Sequence, residues 1–316
     1  MHTFDTLDKL AARYQSALDG RASNVVALDM ASVVIVGDGE AALAGALFRA
    51  ATLATSTVPV VCIDSLPFRD GPGVGLPRFV GPGTLVIVMS DTGSDQTAVD
   101  AVAQASDAGA RIAVVTPGGR LAEMADAQAY PCRTIPGALV SGAPLLGELF
   151  FGLWGLMAGT VILPSSADVD ARAAIALVGR QRRLFGPEAS EDSNPARLLA
   201  RAFHGRMPLI YGTSTIACAA ADIWADRLQR TGHPARAGSL DVDADVDRWP
   251  AISAVHMSTE ALVLIDGAVD PRFGRLQEAL GDAITCNELS FDGHTPLERL
   301  WGAVHLADWT SFYLAP

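Results

Sequence analysis

Leu85-Val86-Ile87-Val88-Met89-Ser90-Asp91-Thr92-Gly93-Ser94-Asp95-Gln96-Thr97 is the stretch whose reading decides the fold. Leu85 to Met89 is an unbroken apolar run with the length and β-branched content of a parallel strand buried on both faces. Small hydroxyl and acidic residues then turn the chain around Gly93. From Thr97 onward Val99, Val102, Ala103 and Ala105 predict a helix that ends near Gly109. A parallel strand that hands a Ser/Thr/Gly turn to a helix N-terminus presents hydroxyls and backbone N–H groups to an anion. The next segment repeats the pattern. Arg111 to Thr116 reads as a strand, Pro117-Gly118-Gly119 as its turn and Arg120 to Ala127 as a short helix.

Upstream, residues 3–19 predict one amphipathic helix with Leu7, Leu10, Ala11, Tyr14 and Leu18 on a face, and Val25 to Leu28 a short connector strand. Ser32 to Val36 reads as a buried strand, followed by the turn Gly37-Asp38-Gly39-Glu40 and a helix over 41–52. Val58 to Cys62 is another strand, and residues 64–83 form an irregular loop rich in proline and glycine. Downstream come a strand at Tyr130 to Ile135 and a strongly apolar helix over 143–160. Pro164-Ser165-Ser166 punctuates the chain, giving an N-terminal domain 1–164 and a C-terminal domain 165–316.

The second half replays the scheme. Helices are predicted at Asp168 to Leu184 and from Pro195, with Asn194 as N-cap, to His204. Then follow strand Met207 to Tyr211, turn Gly212-Thr213-Ser214, and helix Thr215 to Arg230. Ala261 to Asp266 and Ala283 to Cys286 read as strands, Phe273 to Leu280 and Pro296 to Leu314 as helices. Two α/β halves with parallel strands describe a doubly wound pseudo-repeat, and a cleft between such halves is an ordinary ligand site.

The 316 residues suffice for two domains with their own cores; half are hydrophobic and 18% charged, as in a globular chain. A net charge of −12 argues against nucleic acid or an anionic membrane as partner. Lys9 is the only lysine. Cys62, Cys132, Cys218 and Cys286 are widely spaced in apolar surroundings, so reduced core thiols in a cytoplasmic protein are expected rather than zinc or disulfides. The start of the chain shows no signal-peptide pattern. The apolar tract after Glu148, Leu149 to Leu163, has 15 residues and falls short of the roughly 20 that a membrane span needs. Gly37-x-Gly39 lacks the third glycine of a dinucleotide fingerprint, so no cofactor is expected. Asp241, Asp243, Asp245 and Asp247 alternate without the glycine and terminal glutamate of a calcium loop; they read as a solvated acidic loop, with no metal.

Ser90 to Gln96, Thr116-Pro117-Gly118-Gly119-Arg120-Leu121-Ala122 and the closing Ala307-Asp308-Trp309-Thr310-Ser311-Phe312-Tyr313-Leu314-Ala315 resemble sugar isomerase (SIS) domains, above all the bifunctional phosphoglucose/phosphomannose isomerases. The order is the same over nearly the whole chain, and the actinobacterial TobH branch is similar too. The resemblance implies an α/β fold of two SIS subdomains in tandem, each flavodoxin-like with a doubly wound parallel sheet. It also implies that the turns after the first and third strands hold the phosphate of a sugar phosphate. Gly37, Asp38, Gly39, Ser90, Thr92, Gly93, Ser94 and Asp95 are then the candidate ligand-binding residues.

The departures bear on chemistry. Asp95 stands where the family has threonine, Asp91 where it has tyrosine, and Glu40-Ala41 where it has glycine and serine. A carboxylate about 5 Å from a phosphate charge costs on the order of 3 kcal/mol at an effective dielectric near 20, unless Arg111, Arg120 or a metal ion offsets it. The alternative is that Asp91 and Asp95 cap the helix N-terminus. The family's Pro-Arg pair reads Ser141-Gly142 here. Its glutamate base aligns with Gln229 or Arg230, its ring-opening histidine falls nearest Asp245, and its lysine after the Tyr-Leu-Ala segment has no counterpart before Pro316. Enediol isomerisation needs such groups to move protons.

A carbohydrate-derivative-binding or regulatory protein without isomerase activity, a pseudoenzyme with no catalytic residues, is therefore expected. The alternative is an active aldose–ketose sugar-phosphate isomerase with relocated groups, for which Glu288, His294 and His233 are candidates; a pure interaction scaffold is a third reading. A homodimer is expected, because the apolar helix 143–160 exceeds what one half needs and the resembling proteins pair through such helices.

Overall fold

The computed structural model describes residues 3–20, 22, 29–64, 75–135, 145–240, 258–267, 271–280, 284–291 and 293–315. The chain forms two compact units, one of Leu10–Arg172 and one of Ala173–Pro316 together with Met1–Lys9. The expected connector strand at Val25 to Leu28, the Ser141-Gly142 pair, the acidic run Asp241 to Asp247 and His256 lie outside the described residues.

The segment read as one N-terminal helix is two: α1 (Phe4–Asp8) and α2 (Leu10–Asp19). Lys9 breaks it, its N–H bonding back to Thr6 and Leu7 with φ −102° and ψ 1°. The amphipathic stripe serves two cores. Phe4 of α1 lies edge-on to Trp309, 6.3 Å between ring centroids, and Arg182 bonds Asp8; Tyr14 of α2 packs on Phe151.

In the Leu10–Arg172 unit, β1 (Ser32–Gly37), β2 (Val60–Asp64), β3 (Thr84–Met89), β4 (Arg111–Thr116) and β5 (Cys132–Thr134) form one parallel sheet in the order β2-β1-β3-β4-β5. This is the expected doubly wound, flavodoxin-like order. Every residue of β3 is buried. Val86 and Val88 join Val34, Val36, Ile112 and Val114 under α4 (Gln96–Asp107) and α5 (Gly119–Ala127). The opposite face carries Ile35 and Val115 against glycines of α3 (Glu40–Thr52) and α6 (Leu146–Met157), which is why the strand has no polar alternation.

α6 sits where the apolar helix is expected, but its faces are taken by its own unit. A Cβ on Gly147 would lie 2.0 Å from Tyr14, one on Gly152 2.4 Å from Ile135, and one on Gly155 2.6 Å from the Leu18 carbonyl. Phe48 and Phe150 pack on Trp154, whose indole N–H donates to the Ala167 carbonyl at 2.9 Å. Most of its apolar side chains are thus buried inside the unit. Among the described residues no helix is long and apolar enough to cross a membrane.

In the other unit β6 (Met207–Gly212), β7 (Arg236–Ser239), β8 (Thr259–Ile265) and β9 (Thr285–Ser290) make a parallel sheet in the order β7-β6-β8-β9, the same winding with one strand fewer. α7 (Ala167–Phe185), α8 (Pro195–Phe203), α9 (Thr215–Arg230), α10 (Arg272–Leu280) and α11 (Pro296–Leu314) accompany it. β7 is absent from the sequence reading because Arg-Ala-Gly-Ser is short, partly exposed and without an apolar pattern. β9 runs to Ser290 rather than Cys286, since an edge strand half open to solvent tolerates Asn287, Glu288 and Ser290.

α11 is buried almost all round against α8 and α9 and opens with a capping box between Thr295 and Glu298. Trp224 of α9 donates to the Ala303 carbonyl at 3.1 Å. Arg227 Nε meets Asp308 Oδ1 at 2.8 Å with side chains 3% and 2% exposed. Removing one member of a buried ion pair strands the other charge. Arg227→Met is therefore expected to lose about 3–5 kcal/mol in urea unfolding, and Arg227→Met/Asp308→Leu to recover most of that loss.

Candidate functional site

In the first sheet the chain leaves β1 for β2 on one side and β3 on the other, and ligands of such sheets bind at this reversal, outside the strands' carboxyl ends. The register pairs Val36 with Val88, so the turns Asp38-Gly39 and Ser90–Asp95 emerge side by side. A Cβ on Gly39 would sit 3.7 Å from Asp91 Oδ2, which places that carboxylate against the first turn. Gly39 holds φ +55° as N-cap of α3, and Gly37 has no room for a side chain, its Cβ position lying 2.9 Å from that of Ala41.

The Ser90–Asp95 turn is bonded mostly to itself. Asp95 is the N-cap of α4, its Oδ1 accepting from Ala98 N at 2.8 Å. Its Oδ2 accepts a short hydrogen bond from Ser90 Oγ and a 3.4 Å one from Thr92 Oγ1. Ser90 Oγ accepts in turn from the N–H groups of Gly93, at 2.7 Å, and Thr92, at 3.3 Å; Thr92 Oγ1 accepts from Ser94 N at 3.3 Å. Ser90 is buried while Thr92 and Ser94 are exposed. Of the two aspartates read as caps, Asp95 caps the helix; Asp91, half-buried, faces Gly39 instead.

The turn is also locked to its neighbour. Leu121 N donates to the Gly93 carbonyl at 2.9 Å, and Arg120 N reaches Ser94 Oγ at 3.4 Å. Of the two arginines that could offset a phosphate's carboxylate neighbours, Arg120 starts α5 beside Ser94 and is exposed. Arg111 opens β4 beside Leu85, at the opposite edge of the sheet, roughly 16 Å away along a strand rising about 3.3 Å per residue.

The second sheet reverses between β6 and β8. Here Ser214 caps α9 and bonds Asp266 Oδ2 at 2.9 Å, while Asp266 Oδ1 pairs with Arg299 of α11. Arg272 donates to the carbonyls of Leu240 and Thr213 at 2.9 and 3.0 Å. Sequence reading placed the Thr213-Ser214 turn but missed Asp266, Arg272 and Arg299; a carboxylate directly after a buried strand facing a Ser N-cap was the available signal.

The three candidates for relocated catalysis do not converge. His233, bonded to Thr231 Oγ1 at 3.1 Å, lies between α9 and the start of β7, at the amino edge of the second sheet. His294 lies past the carboxyl end of β9 and is exposed; Glu288 is an exposed mid-strand residue. At the family's base position, Gln229 donates to the Ala235 carbonyl at 2.8 Å and Arg230 pairs with Asp226. All four cysteines are free. Burial pushes the Cys62 and Cys286 thiols up to about 11, against the cationic influence of Arg49 at the first and reinforced by Glu288 and Glu260 at the second, so neither offers a thiolate near neutrality. Among the described residues no group of three His, Cys, Asp or Glu side chains could hold a metal ion.

Residues 192–316 match the bacterial phospho-glucose isomerase C-terminal SIS domain. Over 303 residues the chain is 28% identical to a bifunctional phosphoglucose/phosphomannose isomerase of Caldicellulosiruptor bescii, covering 92% of this chain and 86% of that protein. Both likenesses point to the SIS family: residues 192–316 to its phospho-glucose isomerase C-terminal domain, and the chain as a whole to a bifunctional isomerase. The fold agrees with solved SIS structures. The C-terminal domain of glucosamine-fructose-6-phosphate aminotransferase from Francisella tularensis superposes with TM-score 0.70 at 12% identity, covering 99% of this chain and 95% of that one. Tagatose-6-phosphate ketose/aldose isomerase from Escherichia coli gives 0.69 at 13% identity, with 98% and 87% covered.

The interlock of the two turns rests on Gly93. With φ +76°, a Cβ there would fall 2.1 Å from the Gly118 carbonyl oxygen. Gly93→Ala is expected to cost about 3 kcal/mol or more in thermal unfolding, whereas Asp95→Ser, which keeps an N-cap oxygen, costs under about 1 kcal/mol.

Proposed function

We propose that this phosphoglucose/phosphomannose isomerase-like SIS protein binds a carbohydrate derivative at the reversal crevice of its first sheet, in a binding or regulatory role, and does not interconvert aldose and ketose phosphates. The observation that carries the reading is the occupancy of the Ser90–Asp95 turn. Its Ser90 and Thr92 hydroxyls donate to Asp95, and three of its N–H groups are spent on Ser90 and Thr92. An arriving phosphate meets the Asp95 carboxylate where it needs donors. Two further points support it: Gln229 and Arg230, at the family's base position, are engaged with Ala235 and Asp226, and His233 and His294 stand at opposite edges of their sheet. Gly37, Asp38, Gly39, Ser90, Thr92, Gly93, Ser94 and Asp95 are the residues proposed to line the crevice.

A coupled assay with glucose 6-phosphate, mannose 6-phosphate and fructose 6-phosphate tests the reading. Turnover no faster than buffer is expected; catalysis abolished by Glu288→Gln or His294→Asn would instead establish a relocated isomerase. A thermal-shift series across neutral sugars, amino sugars and sugar phosphates is expected to show stabilisation by a sugar. No shift from any of them leaves an interaction scaffold as the better description.

Charge removal gives a sharper outcome. Asp95→Ser keeps the cap, frees Ser90 Oγ and removes one negative charge from the seat. Affinity for inorganic phosphate, read by calorimetry, is expected to rise by roughly 10- to 100-fold over the parent. Unchanged affinity would mean that the carboxylate does not guard the seat.

A further inference from the structure

The C-terminal unit contains a cavity of about 540 Å³ walled by α7, the end of β9 and the first half of α11. That is within the roughly 300–1,000 Å³ of small-ligand sites. It shares no residue with the turns described above. Leu177, Phe185 and Leu306 are among its mostly apolar lining, with Arg180, Gln181, His294 and Glu298 as its polar side chains beside Ser290.

Two of those polar groups are under-used. Arg180 has its nearest carboxylate oxygen, Glu298 Oε1, at 4.0 Å. The other Glu298 oxygen is committed to the N–H groups of His294 and Thr295 at 2.8 and 3.0 Å, so Glu298 meets Arg180 only through a 4.0 Å ion pair and leaves its remaining guanidinium N–H groups open to a second anion. Next to it on α7, Gln181 Oε1 is withdrawn from solvent and accepts no hydrogen bond among the described residues. A shielded acceptor without a donor costs free energy until a donor arrives. An apolar chamber, a guanidinium and an orphan acceptor on consecutive residues therefore ask for one kind of molecule. A polyhydroxylated sugar phosphate would leave most of its hydroxyls against hydrocarbon here.

We propose that this cavity binds a compact carboxylic acid with an apolar body and one hydroxyl or amine donor. The body packs among Leu177, Phe185 and Leu306, the carboxylate pairs with Arg180, and the donor satisfies Gln181 Oε1. His294, exposed at the rim, reports occupancy without being required for it.

The test titrates the full-length protein with 4-hydroxyphenylacetate and with phenylacetate, which lacks the donor, using calorimetry and the ring signals of His294 in NMR. Saturable low-millimolar or tighter binding of the hydroxylated acid is expected, with the His294 signals shifting along the same isotherm. Phenylacetate is expected to bind about fivefold more weakly. Arg180→Met, which keeps the aliphatic stem of an exposed side chain, weakens both probes about tenfold, and Gln181→Leu equalises them. Matched unfolding curves for the variants exclude loss of fold. The proposal is overturned by the absence of saturable binding, by equal affinity of the two probes for the parent protein, by static His294 signals, or by unaltered affinity in Arg180→Met.

Discussion

The carboxylate of Asp95 ties a strand to a helix. One oxygen receives the Ala98 amide at the start of α4, and the other receives the hydroxyl of Ser90, the first residue after β3. Everything local follows from that double acceptance. Ser90 Oγ, its proton committed, turns its lone pairs to the amides of Thr92 and Gly93 and so folds the turn back on itself. Gly93 is thereby pushed against Gly118, a position that only glycine can occupy. The same carboxylate that finishes the fold also places a negative charge at the reversal of the first sheet.

The second unit reaches an analogous solution by a different route. Asp266 follows β8 directly and accepts from Ser214, the N-cap of α9, while Arg299 neutralises it from α11. In both units a carboxylate accepts from a serine where strand order reverses, with the carboxylate at the helix N-cap in the first and the serine there in the second. The first lies against an exposed turn with Arg120 alongside, and the second is held by a guanidinium. This difference, more than the shared winding, separates a crevice with room for selection from one already satisfied.

How much of this was legible in the sequence follows from what each residue has to bury. β1, β3, β4, β6 and β8 are central strands covered on both faces, and continuous runs such as Leu85 to Met89 and Ala261 to Ile265 announce them. Edge strands carry no such obligation, so Arg-Ala-Gly-Ser of β7 left no trace and β9 was cut short at Cys286. The break at Lys9 was invisible because periodicity registers an apolar face and not which core receives it. At the site, the turn and its capping aspartate could be read from Ser90 to Asp95. The partnership of Asp266 with Arg299 could not, since 33 residues of chain separate them and only the sheet brings them together.

The winding and the site chemistry can vary separately because the two draw on different residues. The fold rests on side chains such as Phe48, Phe150, Trp224 and Trp301, all fully buried, where truncation typically costs about 3–5 kcal/mol. Among the described residues, the positions at which this chain departs from the resembling isomerases, such as Glu40, Asp91, Asp95 and Gln229, lie at helix ends and turns. There, exchanging one polar group for another costs about 1 kcal/mol or less when a cap is preserved. Gln229, one of the two residues aligned with the resembling enzymes' base, illustrates the point: its amide fastens the turn to the Ala235 carbonyl. Exchanges at such positions leave the fold in place, and the winding order by itself does not decide whether the protein turns a substrate over.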